Sequence, residues 1–491
     1  MAVTLLGHEP ELHDRLAGRA GSFAAADAEL ATAEAVRVAL RRGNVFAAGA
    51  ITSLALARRG GTADIASLDP HPAASLAERF ETHLALLERL GAPHGVRFEV
   101  DDPLLRPLLA QVSRLANPAT EPDLLRLLGV ICDTVLIGPH WFVFEVVNRC
   151  NARCRYCNIH SPGRRPGRKF LAEQLPFEVF ARTVADLARL GTDGITILAN
   201  GEPTLHPDFD AMVRTAKAHG LRVNFFTNGL LLDEARAAAV LDSGADEMFC
   251  TISAATPRTY AALHAAVDEA DWQTLRDNLR SFFARRRAGG KNQPTAAMVN
   301  VICGPNVREI LAMIDLAADW GFDAFRAQLL RIDDYNRDLA LSADDLTRLR
   351  AQLPEIAERC RRRGLSLWEG LAFQLQQAGN RPDRWSGDVF VEKGCFIGWA
   401  LGLAKSNGDL SFCCTVKPVA RLADGPFADL WRGPAYQRAR LAAKNLRGAG
   451  EVTLRDGSRL YDEACHHCDN HDINARLHEL LERYDLWRFL G

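Results

Sequence analysis

Between residues 139 and 335 the chain alternates short apolar runs with longer stretches of helical periodicity. The runs Trp141–Val147, Gly194–Ala199, Arg222–Phe226, Glu247–Ser253, Ala296–Ile302 and Phe325–Leu330 read as strands. Helical stretches such as Phe177–Leu190 and His206–His219 lie between them. Apolar runs of five to seven residues alternating with helices of ten or more imply a parallel sheet. Six βα repeats fit a curled sheet or partial barrel, whose chemistry sits at the C-terminal ends of its strands.

The flanking regions differ from this one. Residues 1–138 are rich in Ala, Leu and Arg. There Val45–Ala48 reads as a strand, followed by helix Ile51–Arg58, strand Ala63–Leu68, a helix around Ala73–Leu90, and strand Val96–Val100 ending in Asp101-Asp102. This order is that of half a Rossmann-like sheet and resembles a methyltransferase half, without a complete glycine fingerprint. Packing, dimerisation or substrate capture suits it better than nucleotide binding. Residues 336–491 open with a helix around Ala343–Arg363, turn short, Gly-rich and Cys-bearing, and close with an amphipathic helix, Ile473–Tyr484. The expected organisation is therefore an N-terminal α/β domain (1–138), a barrel (139–335) and a C-terminal domain (336–491).

Composition narrows the class. The 491 residues are 48% hydrophobic and 24% charged, which is ordinary globular usage. With 59 Lys+Arg against 61 Asp+Glu there is no basic excess, so no nucleic-acid partner is expected. No apolar run reaches the roughly 20 residues of a membrane helix. The opening Met1–Glu9 lacks a basic start and a long apolar core, so no secretory signal and a cytoplasmic location are expected. In that compartment the twelve cysteines are poorly explained by disulfides. Cys132, Cys250, Cys303 and Cys360 are isolated and read as small buried hydrophobes. The others are grouped.

The first group is Cys150-Asn-Ala-Arg-Cys154-Arg-Tyr-Cys157, on the loop after the first barrel strand. Structural zinc normally takes four protein ligands, and this set has three. Three thiolates suit a four-iron four-sulfur cluster that leaves one iron open. This loop resembles that of the radical S-adenosylmethionine (SAM) enzymes, and three further motifs follow in order. Asn200-Gly201-Glu202-Pro203 is similar to the family's GGEP loop, with Asn at the first Gly. Thr227-Asn228-Gly229 matches a strand-three ending, and Ser253 ends strand four. The resemblance implies that Cys150, Cys154 and Cys157 hold the cluster and that Tyr156 packs beside it. It implies that the open iron chelates SAM and that Glu202 accepts hydrogen bonds from the SAM ammonium. Gly201, Pro203, Thr227 and Asn228 would complete the pocket, with Ser253 and Asn306 reaching the SAM ribose or carboxylate. Electron transfer, from a donor such as flavodoxin or ferredoxin, would then yield a 5′-deoxyadenosyl radical. The implied fold is a partial (β/α)6 radical SAM barrel.

The second group is Cys395, Cys413 (beside Cys414), Cys465 and Cys468, with Gly408 five residues before Cys413. It resembles the SPASM/twitch extensions, which bind auxiliary iron–sulfur clusters. No cysteine follows Cys468, so the match is to the one-cluster twitch form, with Cys395, Cys413, Cys465 and Cys468 as ligands and Cys414 as a substitute for Cys413. Four Cys, or Cys with His466 or His467, also suit structural zinc; the radical SAM context favours the cluster.

Twitch enzymes include aminocyclitol dehydrogenases, and related chemistry includes radical dehydration of sugars. The implied substrate is a polar hydroxylated small molecule of natural-product biosynthesis, with a ribosomally made peptide as the alternative. Proton transfer needs a general base. Glu145, His160 and Arg326 stand where a substrate would lie. Each also has a structural reading: Glu145 as a loop anchor, His160 as a solvated side chain, Arg326 as a carboxylate partner.

Overall fold

The computed structural model describes residues 2–490 apart from 72, 116–120, 369, 379–388, 415–416, 447–452 and 469. Its contacts divide the chain into two units, Met1–Gly138 with Ala475–Gly491, and Pro139–Asn474. The last part of the C-terminal helix, His471–Arg483, thus belongs with the N-terminal unit rather than with residues 336–474. Within that unit Arg476 pairs with Asp123 at 2.8 Å, and Gln111 donates to the Tyr484 carbonyl at 3.0 Å.

The first unit holds a three-stranded parallel sheet, β1 (Ala2–Leu5), β2 (Ala35–Leu40) and β3 (Val96–Val100), in that order. Only β3 coincides with an expected strand. Val45–Ala48 is instead a 3-10 turn, Val45–Ala47, running into helix Ala48–Arg58. Buried Asn44 decides this, because its amide donates to the Leu6 and Ala39 carbonyls while its oxygen accepts from Arg41 N at 2.7 Å. A chain held that tightly cannot continue extended. The true strand is the alternating run just before it, Ala35–Leu40. Residues 63–68 lie in no helix or strand.

The second unit carries a ten-stranded sheet. Its centre is β4 (Trp141–Glu145), β5 (Gly194–Leu198), β6 (Arg222–Thr227), β7 (Glu247–Thr251), β8 (Thr295–Ile302) and β9 (Ala324–Leu329), all parallel and in sequence order. These are the six strands expected from the apolar runs. The sheet goes further at both edges. β10 (Ser366–Trp368) adds parallel to β9, and β11 (Leu401–Ala404) adds parallel to β4. β12 (Asp409–Ser411) and β13 (Pro418–Arg421) then continue antiparallel. The C-terminal extension is therefore joined to the barrel through the backbone hydrogen bonds of β4.

Side-chain alternation sets which face is which. Phe142 and Phe144 of β4 pack against Phe427 and Phe180, on helices Phe427–Arg432 and Phe177–Arg189. Each ring fully buried in this outer layer contributes about 1.5–3 kcal/mol. Gly402 of β11 lies against the Phe142 ring, with no room for a Cβ. Trp141, Val143 and Glu145 on β4, and Leu401, Leu403 and Lys405 on or beside β11, consequently face the other side, the barrel interior. There Phe226, Phe249, Ala297, Val299, Ala324 and Trp368 form an apolar cluster. Among the described residues no helix is long and apolar enough to cross a membrane.

Candidate active site

The loop after β4 carries the three cysteines and is held from both sides. Arg155 N donates to Leu263 O at 2.8 Å and Ala265 N to Arg153 O at 3.1 Å, pinning it to the turn after helix Pro257–Leu263. His264 Nδ1 faces the Tyr260 carbonyl at 2.8 Å, so Nδ1 carries the proton and Nε2 accepts from the Tyr156 hydroxyl at 2.8 Å. Burial lowers the His264 pKa to about 4 and keeps the ring neutral for that role. Tyr156 thereby packs beside the cysteine loop.

The sulfurs have an environment suited to metal-bound thiolates. Ala152 N points at Cys150 Sγ (3.4 Å), and Ile159 N and His160 N point at Cys157 Sγ (3.4 and 3.2 Å). Burial raises the Cys150 thiol to about 12, with the charges of Glu202 and Cys157 adding to it. Cys154 is raised by burial and then by Cys157 and Cys150. The Cys150 and Cys154 thiols, raised in this way, stay protonated on their own. Coordination to a cluster reverses this, because the metal takes the thiolate outright and the N–H groups support its charge. The donor set fits a four-iron four-sulfur cluster.

Against this loop lies the one after β5. Glu202 N donates to Arg149 O at 2.8 Å. A Cβ on Gly201 would sit 1.8 Å from Arg149 O, so only glycine lets the two loops meet. Gly201→Ala must push the loops apart. It is expected to cost at least about 3 kcal/mol, the upper end for overpacking, and to abolish SAM binding; thermal unfolding and equilibrium dialysis check the two effects.

Glu202 is 1% exposed and accepts four hydrogen bonds. Oε1 accepts from Thr204 N (3.2 Å), Thr204 Oγ1 (2.7 Å) and Thr227 Oγ1 (2.9 Å), and Oε2 accepts from Asn228 N (2.8 Å). Burial raises its pKa against these bonds, which pull it down. Asn228 also donates to Asn151 Oδ1 at 2.7 Å, tying strand three's end to the cysteine loop. Pro203 starts the 3-10 turn Pro203–Leu205.

Ser253 and Asn306, expected to reach the SAM ribose or carboxylate, stand at the ends of β7 and β8. Ser253 sits at φ 59°, its N–H bound to Asn300 Oδ1 and its hydroxyl accepting from Val301 N, both at 3.0 Å. Asn306 donates to the Ser253 and Val301 carbonyls and accepts from Cys303 N, all at 2.8 Å, and is fully buried. Both brace the ends of β7 and β8.

The proton-transfer candidates separate. His160 Nε2 lies 2.9 Å from Asn148 O and 2.8 Å from Asn200 O, so it is a backbone brace rather than a solvated group. Arg326 faces the interior, its guanidinium 5.1 Å from the Trp368 ring centre. Glu145 stands at the inner rim. Its Oε2 accepts from Asn200 Nδ2 at 2.6 Å and lies 2.5 Å from Lys405 Nζ. Lys405 went unrecognised in the sequence. The one local sign is the alternating Leu401-Gly-Leu-Ala-Lys405 run that makes it the next inward position after β11.

In the C-terminal extension Cys395, Cys413, Cys414, Cys465 and Cys468 lie near enough to act on one another electrostatically. The Cys468 and Cys414 side chains are hydrogen-bonded, and Cys468 is raised by that bond, by burial, and by the charges of Cys414, Cys395 and Cys413. Cys395 is raised to about 12 by burial, with Cys465 and Cys414 adding to it. Cys465 is raised by burial and feels Cys414 as well. Cys413 lies toward Tyr436, whose hydroxyl donates to Ser411 O at 3.0 Å. Among the described residues no three His, Cys, Asp or Glu side chains are arranged around a single metal ion.

Residues 144–317 match the Radical SAM superfamily. The chain carries a radical SAM domain. The chain is 32% identical to PqqA peptide cyclase of Rhodopseudomonas palustris over 116 residues, 24% of this chain and 29% of that protein. It is 26% identical over 230 residues to a probable GTP 3′,8-cyclase of Methanothermobacter thermautotrophicus, covering 45% of this chain and 67% of the relative. With the AdoMet-dependent heme synthase of Methanosarcina barkeri it shares 24% identity over 356 residues, 67% of this chain and 91% of the synthase. The chain thus spans less than a third of the first of these relatives. In fold it resembles Streptococcus suis SuiB bound to S-adenosylmethionine, with a TM-score of 0.51 at 16% identity, covering 75% of this chain and 82% of SuiB.

Proposed function

We propose that this chain is a radical SAM enzyme with one auxiliary iron–sulfur cluster, acting on a polar hydroxylated small molecule in an oxidation or dehydration. The observation that carries this reading is the stacking of the Cys150–Cys157 loop on the Asn200–Pro203 loop, with Glu202 buried between them. Cys150, Cys154 and Cys157 would hold the cluster, and Glu202 would receive the SAM ammonium. With both bound, the site supplies a 5′-deoxyadenosyl radical that takes a hydrogen atom from the substrate. The barrel wall keeps water from the reacting atoms. Its interior positions combine charge (Glu145, Lys405, Arg326) with aromatic faces (Phe226, Phe249, Trp368), a lining that suits a hydroxylated ring. Flavodoxin or ferredoxin would supply the electron.

A second reading, modification of a ribosomally made peptide, is favoured by one observation: a relative in sequence is named a peptide cyclase. The three-stranded parallel sheet of the first unit speaks for the small molecule, because peptide-modifying relatives often bear a small winged-helix domain instead.

Anaerobic reconstitution tests the proposal. The wild type is expected to hold about eight irons, and the Cys150/Cys154/Cys157→Ala variant about four. Dithionite with SAM should yield 5′-deoxyadenosine from the wild type and none from the variant. Reconstituted wild type without iron would overturn the radical reading. Faster 5′-deoxyadenosine release with an aminocyclitol than with a peptide would favour the small molecule, and the reverse the peptide.

A further inference from the structure

A lysine of the C-terminal extension reaches the SAM side of the barrel. β11 pairs with β4 in the register Ala404↔Phe144, which sets Lys405 beside Glu145 at the C-terminal ends of both strands. Their side chains are 16% and 8% exposed, with Nζ 2.5 Å from Oε2. Withdrawing such a pair from water costs several kcal/mol per ion, so the pair is not explained by stability alone.

Its other connections indicate what it fixes. The same Glu145 oxygen receives Asn200 Nδ2 at 2.6 Å, and that amide also donates to Asn148 Oδ1 at 3.2 Å. The Asn200 and Asn148 carbonyls converge on His160 Nε2 at 2.8 and 2.9 Å. With two carbonyl oxygens facing it, Nε2 carries the proton. His160 N in turn donates to Cys157 Sγ at 3.2 Å. An unbroken chain of contacts thus runs from the extension to a cluster ligand and to the loop bearing Glu202. Asn200 occupies the position where the motif elsewhere has glycine. Glycine has no side chain with which to meet Glu145, so the departure from the motif and the buried ion pair are two halves of one device.

We propose that Lys405 is a positioning residue of the SAM site: acting through Glu145 and Asn200, it holds the Asn200–Pro203 loop in register with the cysteine loop. The inference rests on the radical SAM reading above. It makes the C-terminal extension part of the SAM site as well as the carrier of a second cysteine group.

The full chain, reconstituted without oxygen and counted for iron, is compared as wild type, Lys405→Met, Asn200→Gly and the double variant. SAM affinity is measured by equilibrium dialysis, and the reduced protein's EPR spectrum is recorded with and without SAM. Each single variant is expected to weaken SAM binding about tenfold, the lower range for residues that orient ligands from outside. Both should diminish the spectral change that SAM induces. The double variant is expected to be no weaker than the poorer single variant, because both break the same chain of contacts. Lys405→Arg should restore most of the affinity. Wild-type affinity in Lys405→Met, or a double variant whose loss is the product of the single losses, would overturn the inference. A purely structural tie between β11 and β4 would lower thermal stability in Lys405→Met without that dependence on Asn200. If Lys405→Met does not hold iron, Asn200→Gly decides alone, since it leaves the ion pair and strand pairing in place; wild-type affinity there overturns the inference. Wild type that binds no SAM would sink the radical SAM reading itself, a result distinct from these.

Discussion

Glu202→Gln is expected to weaken SAM binding about a hundredfold and to lower 5′-deoxyadenosine formation at least as much. The substitution keeps shape and removes charge. Glu202 holds four donors, three on Oε1 and one on Oε2. An amide in its place points an NH2 at N–H or O–H groups that are themselves donors, and a buried donor left unmatched costs about 1–3 kcal/mol. The charge-assisted bond to the incoming ammonium, about 1.5–3 kcal/mol, is lost as well. The upper end of that bond, about 3 kcal/mol, corresponds to about two decades in affinity, while the unmatched donor is present with and without SAM and lowers stability instead. The pH dependence has a definite sign. Burial raises the Glu202 pKa before SAM arrives. SAM affinity is therefore expected to fall with pH beginning above the ordinary glutamate range, and the Gln variant should lack this dependence. Stability of the SAM-free protein runs the other way. A carboxyl whose folded pKa exceeds its unfolded one binds its proton more tightly when folded, so its contribution improves as pH falls through that window. Opposite slopes in dialysis and thermal unfolding, both absent in Glu202→Gln, would identify this residue as their source.

How much of this could be read from the sequence depended on the length of the interaction. The six central strands follow from apolar runs bounded by helices, a purely local signal. The cysteine loop and Glu202 are legible because their spacing brings them to neighbouring strand ends. The edges of the sheet are not. β10 has three residues and β11 four, too few for a periodicity to register, and each is a strand because a longer neighbour offers it hydrogen bonds. Val45–Ala48 has the composition of a strand and fails to be one because Asn44, fixed by carbonyls from two other segments, turns the chain there. Lys405 escapes for a related reason, since the carboxylate that gives it meaning stands 260 positions earlier in the chain (405 − 145). Ser253 and Asn306 are a subtler case. Their positions at strand ends are apparent in the sequence, whereas the backbone groups that occupy their side chains are visible only in three dimensions.

The same contrast between spacing and geometry governs the C-terminal cysteines. Cys414→Ala is expected to empty that site, and Cys413→Ala to spare it. The Gly408–Cys413 spacing points to Cys413, yet it is Cys414 whose side chain is hydrogen-bonded to Cys468. Ser411 braces this stretch of chain, its hydroxyl donating to Cys413 O at 2.8 Å and accepting from Lys417 N at 2.7 Å. Cys414 meets Cys468 in a hydrogen bond and is the neighbour shared by Cys395 and Cys465, while Cys413 lies toward Tyr436. Four thiolates at one cluster are mutually dependent, so loss of one releases the group rather than a quarter of it. Iron should fall from about eight to about four per chain in Cys414→Ala, the remainder being the SAM-binding cluster. Metal analysis distinguishes the chemistry, because a structural zinc site would lose one zinc and no iron in the same variant. Intact metal in Cys414→Ala together with loss in Cys413→Ala would return the ligand to the position that the spacing indicates. Combining Cys414→Ala with the Cys150/Cys154/Cys157→Ala set should leave no iron at all, which ties each half of the count to its own group of cysteines.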